Sequence, residues 1–217
     1  MNVLLIRPKP HGETIGLQSV MICEPLEFMC LASALKQNGH AVDILDMIIE
    51  KKPLGHFIEK FNPDVVGITG YISHVGIIKK YAKVIKSYSK DIKVSVGGVH
   101  AKVCPEDFKD DNIDIVCRTE DDLYDFLDCK IREKTFPDRK ITERYQDKYY
   151  YLFQNKCALI KTSFGCPYSC NFCFCKEISP YSAREIDDVI AELKTVPQKE
   201  VYIVDDDFLF NRQRLLE

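Results

Sequence analysis

The 217-residue chain balances 30 basic against 33 acidic side chains, for a net charge of −3, and is 46% hydrophobic. That length supports one comfortable core, or one average domain and part of a second, and the charge balance offers no broad basic surface for nucleic acid. No apolar run approaches the roughly 18 to 20 residues of a membrane span, and the opening NVLLI is too short for a secretory core. A cytoplasmic protein without a membrane span is therefore expected, with its ten cysteines kept as reduced thiols and some of them serving as metal ligands.

In chain order, residues 1–129 alternate short β-branched runs with helical patterns. NVLLI (2–6) reads as a first strand, and EPLEFMCLASALKQNGH (24–40) as a helix. Pro25 sits near its first turn, Phe28, Leu31, Ala32 and Leu35 form one face, and Asn38-Gly39 ends it. AVDILDM (41–47), DVVGIT (64–69), IKVSVGG (92–98) and IDIVCR (113–118) are the next strands, with HVGIIKKYAKVIKSYS (74–89) and DDLYDFLDC (121–129) as helices among and after them. Such alternation predicts an α/β fold with a doubly wound, flavodoxin-like parallel sheet, whose ligands sit beyond the carboxyl ends of the strands. Residues 130–156 are dense in charge and read as a surface linker with tyrosine anchors. A second β/α pattern occupies 157–217. CALIKTS is a strand and SAREIDDVIAELK a helix with a Ser182/Glu185 capping box and an apolar face of Ile186, Val189, Ile190 and Leu193. EVYIVD (200–205) is a further strand, and NRQRLLE begins another helix.

Between the strand and helix of that second region lies SFGCPYSCNFCFC (163–175). Structural zinc sites close with four ligands, commonly as two separated pairs. Here Cys166, Cys170 and Cys173 crowd into one loop, and only Cys175 or the distant Cys157 could complete a tetrahedron. Cys175 is awkward in that role, since a single intervening residue constrains two thiolates on one metal. Spacing suits a 4Fe-4S cluster with one iron left open, with zinc and ordinary thiols as the alternatives.

The stretch GCPYSCNFCF resembles the cysteine signature of the radical S-adenosylmethionine enzymes. SAREIDDVIAEL and VYIVDDDFLFN are similar to the helix and acidic strand end of the branch that carries an N-terminal cobalamin-binding domain. VLLIRP, EPLEFMCLASALKQNGHAVDILD, PDVVGIT and KVSVGGVHA resemble that domain in order and spacing. The resemblance implies a cobalamin-binding domain over 1–129, a linker over 130–156 and the first β/α units of a partial radical barrel over 157–217. Cys166, Cys170 and Cys173 would hold three irons, the fourth iron would chelate S-adenosylmethionine, and reductive cleavage would yield a 5′-deoxyadenosyl radical for methylating an unactivated carbon. Phe172 would pack beside the adenine, and Asp205 or Asp206 would hold the methionine ammonium. Thr69, Gly97 and Gly98 would make room for the cobalamin nucleotide tail, while Cys175 stays a bystander.

In the better-known cobalamin carriers the lower cobalt ligand is a histidine within an Asp-x-His-x-x-Gly pattern. Here His11 has Lys9 and Thr14 at the flanking positions, so it is expected as a solvated loop residue. CRTEDD (117–122) departs from the family's glycine-rich turn after strand five. The implied partners are a small-molecule or peptide substrate and a reducing donor such as flavodoxin or ferredoxin. A phosphoreceiver is excluded, because Arg7-Pro8 and Thr69-Gly70 stand where its acidic pair and phosphorylatable aspartate belong. The remaining alternative is a non-catalytic cobalamin- or metal-binding module. With two barrel strands before Glu217, the chain is expected to be inactive by itself, either a fragment or completed by another chain.

Overall fold

A computed structural model describes residues 1–12, 14, 17–132 and 136–216, leaving aside the side chain of Lys176. Residues 13, 15 and 16 of the loop after the first expected strand, 133–135 of the expected linker and the terminal 217 lie outside them. The chain forms two compact units: Met1–Leu17 with Glu27–Tyr145, and Gln18–Leu26 with Gln146–Glu217. Among the described residues no helix is long and apolar enough to cross a membrane.

The first unit is built around β1 (Asn2–Arg7), β2 (Ala41–Asp46), β3 (Val65–Thr69), β4 (Lys93–Gly97) and β5 (Ile115–Val116), all parallel and ordered β2-β1-β3-β4-β5. This is the flavodoxin-like, doubly wound order. Because strand side chains alternate faces, β1 feeds two separate cores. Leu4 and Ile6 join α2 (Leu54–Phe61) and α3 (Val75–Tyr88) through Ile58, Ile78 and Ile85. Val3 and Leu5 join α1 (Leu26–Gln37) through Phe28, Met29 and Leu35. A short helix α4 (Val99–Val103) adds Ala101 to the first layer, and α5 (Glu120–Phe126) adds Leu123 and Tyr124 to the second. The α1 stop expected at Asn38-Gly39 is a Schellman turn: Gly39 N–H donates to Lys36 O at 3.0 Å and His40 N–H to Leu35 O at 3.2 Å.

Residues of the expected linker are divided between the units. Up to Tyr145 they are fastened to the first: Arg144 Nη1 donates to both Asp43 oxygens at 2.9 and 3.0 Å, and Tyr145 Oη to Glu50 Oε1 at 2.8 Å. From residue 146 they belong to the second, where Tyr150–Tyr151 pairs antiparallel with both Met21–Ile22 and Gln154–Asn155. The buried carboxylate of Glu24 accepts from Leu159 N–H at 2.7 Å, which explains why 18–26 leaves the first unit.

In the second unit β6 (Ala158–Ile160) and β7 (Val201–Ile203) pair in parallel, with α6 (Ile186–Leu193) between them in sequence. The Ser182/Glu185 capping box is absent: Glu185 is the N-cap and makes no side-chain cap bond. Ser182–Ala183 instead pairs antiparallel with Ser163–Phe164, and Arg184 N–H donates to Thr162 O at 3.0 Å, so the chain stays extended up to the helix. The expected apolar face forms and lines a cavity of about 300 Å³ together with Ile160 and Ile203.

At the carboxyl ends of β1 and β2, Arg7 lies beside Asp46 in register. Asp46, fully buried, accepts from Arg7 Nε at 3.0 Å and from Ile48 N–H at 3.1 Å. Removing one partner of a buried pair strands the other's charge, at a cost of about 3–5 kcal/mol. Asp46→Ala is expected to lower the unfolding free energy from urea titration by about that much, whereas replacing Asp121, an exposed partner of Arg132, leaves it nearly unchanged.

Candidate functional site

Two arrays of polar groups and thiols stand apart from the cores, one in each unit. The first lies at the carboxyl edge of the parallel sheet. Thr69 and Gly97, the last residues of β3 and β4, are direct neighbours in the ladder. Gly98 follows at φ +96, and a Cβ there would sit 2.4 Å from Thr69 Oγ1 and 3.1 Å from Gly70 N. Only glycine fits that approach. At Gly97 a Cβ would make ordinary contact with Cys117, 3.8 Å from its carbonyl oxygen, so no close approach requires glycine there. The structure thus brings the three expected residues Thr69, Gly97 and Gly98 together, with exposed Tyr71 and Ile72 following on.

Sequence reasoning passed over His74 in the same turn. Its Nδ1 accepts the Tyr71 N–H at 3.0 Å, and burial lowers its pKa, so the ring is neutral at pH 7 and carries its proton at Nε2. It therefore offers a donor here. His11, by contrast, is an exposed loop residue whose carbonyl accepts from Thr14 N–H at 2.9 Å. The departing CRTEDD stretch is a helix start: Thr119 caps α5, and Asp122 accepts from Arg118 N–H at 2.7 Å and Thr119 N–H at 2.9 Å. Just before it, burial, reinforced by the Asp122 charge, pushes the Cys117 thiol up to about 12.

The second array is the cysteine loop. Its base is closed by the Ser163–Phe164/Ser182–Ala183 ladder. Gly165 makes that closure sterically feasible: it sits at φ +67, where a Cβ would fall 2.4 Å from Ser179 O and 2.6 Å from Pro180 O. Cys170 is exposed, and Cys166 and Cys173 are half-buried. Their three sulfurs are not all within 4.8 Å of one another, the spread at which a single ion gathers its ligands. Phe172 is 94% exposed.

The two aspartates at the end of β7 part company. Asp205 accepts from Thr162 N–H at 2.6 Å, from Ser163 Oγ at 2.8 Å and from the Thr162 hydroxyl, tying the end of β7 to the end of β6. Asp206 stands 3.8 Å from Cys175 Sγ and 3.8 Å from Lys161 Nζ, on the side of the cysteine loop. Cys175 donates its backbone N–H and its thiol toward Cys173, which lowers the Cys173 pKa. The same bond, with burial and the Asp206 charge behind it, raises Cys175 to about 11. Cys175 is thus a proton-bearing neighbour that favours a thiolate at Cys173.

The family model of the B12 binding domain matches residues 12–124, which take in the glycine edge at Thr69, Gly97 and Gly98. The chain belongs to the B12-binding domain family. Along its whole length it is 27% identical to the uncharacterized methyltransferase PH0819 of Pyrococcus horikoshii and 23% identical to the hopanoid C-3 methylase of Methylococcus capsulatus. It spans 56% and 48% of those two proteins, about half of each. Among solved structures, the cobalamin-dependent S-adenosylmethionine radical enzyme OxsB with aqua-cobalamin bound matches 95% of the chain at TM-score 0.69 and 16% identity, covering 34% of that enzyme. The form with S-adenosylmethionine also bound matches at TM-score 0.63 and 17% identity. At such identity the likeness is one of fold. The B12-binding match falls within residues that the first unit largely supplies.

Thiolate is the nucleophile in alkylation. At pH 8 in the metal-free chain, Cys173 is expected to react with iodoacetamide faster than Cys175, while Cys117 and Cys129, whose thiols burial pushes up, react only after denaturation. Peptide mass spectrometry over time reads the order. Equal rates at Cys173 and Cys175 would contradict the hydrogen bond between them.

Proposed function

We propose that this chain binds cobalamin at the carboxyl edge of its parallel sheet and a 4Fe-4S cluster on Cys166, Cys170 and Cys173, as part of a cobalamin-dependent radical S-adenosylmethionine enzyme that methylates an unactivated carbon. The observation that carries the reading is a glycine-closed three-cysteine loop on the same chain as a B12-binding domain. When bound, the cluster with S-adenosylmethionine supplies an adenosyl radical by one-electron reduction, and cobalamin supplies the methyl group. The residues present fit both groups. Gly97 puts no side chain on the sheet edge, and Gly98 lets the backbone approach Thr69 closely. Three thiols on one short loop, with Cys175 donating toward Cys173, supply the donor set that such a cluster takes.

The residues divide the work. Cys175 keeps its proton and helps hold Cys173 as the ligand-ready thiolate. Asp206 rather than Asp205 is placed to receive the ammonium of S-adenosylmethionine, because both Asp205 oxygens already accept from Thr162 and Ser163. Phe172, exposed beside Cys173, offers its backbone and ring face to the adenine. Cobalamin is taken without a histidine on cobalt: the pattern around His11 is broken by Lys9 and Thr14, and His74 engages Tyr71 N–H through Nδ1, which supports the reading. A small-molecule or peptide substrate and an electron donor such as flavodoxin or ferredoxin complete the proposal. One observation favours the alternative of a non-catalytic cobalamin or metal carrier: among the described residues β6 and β7 pair only with each other, which leaves little wall around a radical.

Anaerobic reconstitution should load about four irons and four sulfides per chain. Alanine at Cys166, Cys170 or Cys173 should abolish the broad visible absorption, and Cys175→Ala should keep it. Zinc in place of iron under iron-replete, anaerobic conditions, held by these three cysteines and lost when any one of them is replaced by Ala, would overturn the cluster. Hydroxocobalamin is expected to bind at low micromolar concentration with an unchanged spectrum in His11→Ala. Gly97→Leu, which puts a bulky side chain on the edge, should weaken binding at least tenfold. Equal affinity in Gly97→Leu would move cobalamin away from this edge.

A further inference from the structure

We propose that His100, Cys104 and Asp107 form a mononuclear site for a borderline-soft divalent cation of the zinc class, bound by three protein ligands with a fourth position open to solvent. The site is independent of the cysteine loop and of the reading given above.

Three ligand types converge there. His100 and Cys104 are four residues apart on the turn of α4, the spacing that puts two side chains on one helix face. That turn is continued to Cys104 by its N–H, which donates to His100 O at 2.8 Å. Asp107 follows in the 3-10 turn Pro105–Phe108, its N–H reaching Cys104 O at 3.3 Å. One ligand atom from each residue lies within 4.8 Å of the others, and among the described residues no other group of three or more such side chains is gathered that closely.

The site is also held in place. His100 is 8% exposed and packs edge-on against the fully buried Phe108, with ring centroids 5.6 Å apart at 73°. Its Nε2 points at Asp107 Oδ2 at 2.7 Å. Around one zinc with bonds of about 2.0–2.1 Å, nitrogen and oxygen ligands stand about 3.3 Å apart. Opening the present contact by that small amount is feasible because the Asp107 side chain is 46% exposed. Imidazole, thiolate and carboxylate together suit zinc rather than magnesium or calcium, which prefer oxygen ligands. On binding, the Cys104 thiol gives its proton to solvent, the neutral imidazole donates its Nε2 lone pair with its proton at Nδ1, and no electron is transferred.

Zinc is the probe, used on the full chain with Cys166, Cys170, Cys173 and Cys175 all replaced by Ala so that the loop thiols cannot compete. After metal removal, competition against a chromophoric chelator is expected to show about one zinc per chain, and cobalt(II) should give a thiolate-to-metal absorption band. Adding Cys104→Ala should abolish both signals. Asp107→Asn, at a more exposed position, should weaken zinc at least tenfold while leaving the far-UV circular dichroism unchanged. In the chain with its loop intact, Cys104→Ala should lower zinc at saturation by about one equivalent. No zinc binding at micromolar concentration in the loop-free chain, or binding undiminished by Cys104→Ala, would overturn the site and leave His100 and Asp107 as a hydrogen-bonded pair. A failure of iron loading at the cysteine loop would not touch it.

Discussion

Everything at the sheet edge depends on β1 being buried on both faces. Its four central residues, Val3 to Ile6, are almost completely removed from solvent and alternate between two cores. A one-residue slip would exchange the residues facing each layer, so the burial pins the register. Once β1 is pinned between β2 and β3, and β3 against β4, Thr69 and Gly97 must end side by side. The meeting of these strand ends is thus a geometric consequence of apolar packing some residues upstream, and Gly98 allows the next segment to cross close to Thr69.

In the second unit a similar economy of polar groups fixes the loop. Asp205 gathers donors from Thr162 and Ser163, which joins the carboxyl ends of β6 and β7 just ahead of Phe164 and Gly165. From that anchored base the cysteine loop departs and returns through a two-rung ladder. Cys175, between Cys173 and Asp206, sets opposite protonation tendencies on two thiols separated by one residue. Two thiols with opposite shifts therefore stand one residue apart in the same short turn.

The strand and helix alternation was legible because β-branched runs and 3.6-residue periods are local signals. Every sheet strand from β1 to β5 falls within or next to a run read from sequence, and β1 extends only to Arg7. Tertiary placement was harder to see. The SxxE pattern at Ser182 mimics a helix cap, yet Ser182 is recruited by Phe164 into a ladder. Residues 18–26 resemble a loop and helix start, but the buried Glu24 carboxylate ties them to Leu159, far along the chain. The cysteine spacing was visible as a motif, whereas the different surroundings of Asp205 and Asp206 follow from which strand end lies beside each. His74 carried no sequence signal: its tautomer is set by a backbone N–H three residues away.

The central claim, that the sheet edge takes cobalamin with no protein nitrogen on cobalt, is tested most directly by electron paramagnetic resonance of cob(II)alamin bound to the full chain. Neutral His74 spends its Nδ1 lone pair on Tyr71 N–H, and His11 lies in an exposed loop. The account predicts a bound spectrum unchanged by His74→Ala and by His11→Ala, with any nitrogen splitting coming from cobalamin's own base. Nitrogen triplets that persist in the bound species, and that disappear in His74→Ala or His11→Ala, would contradict it.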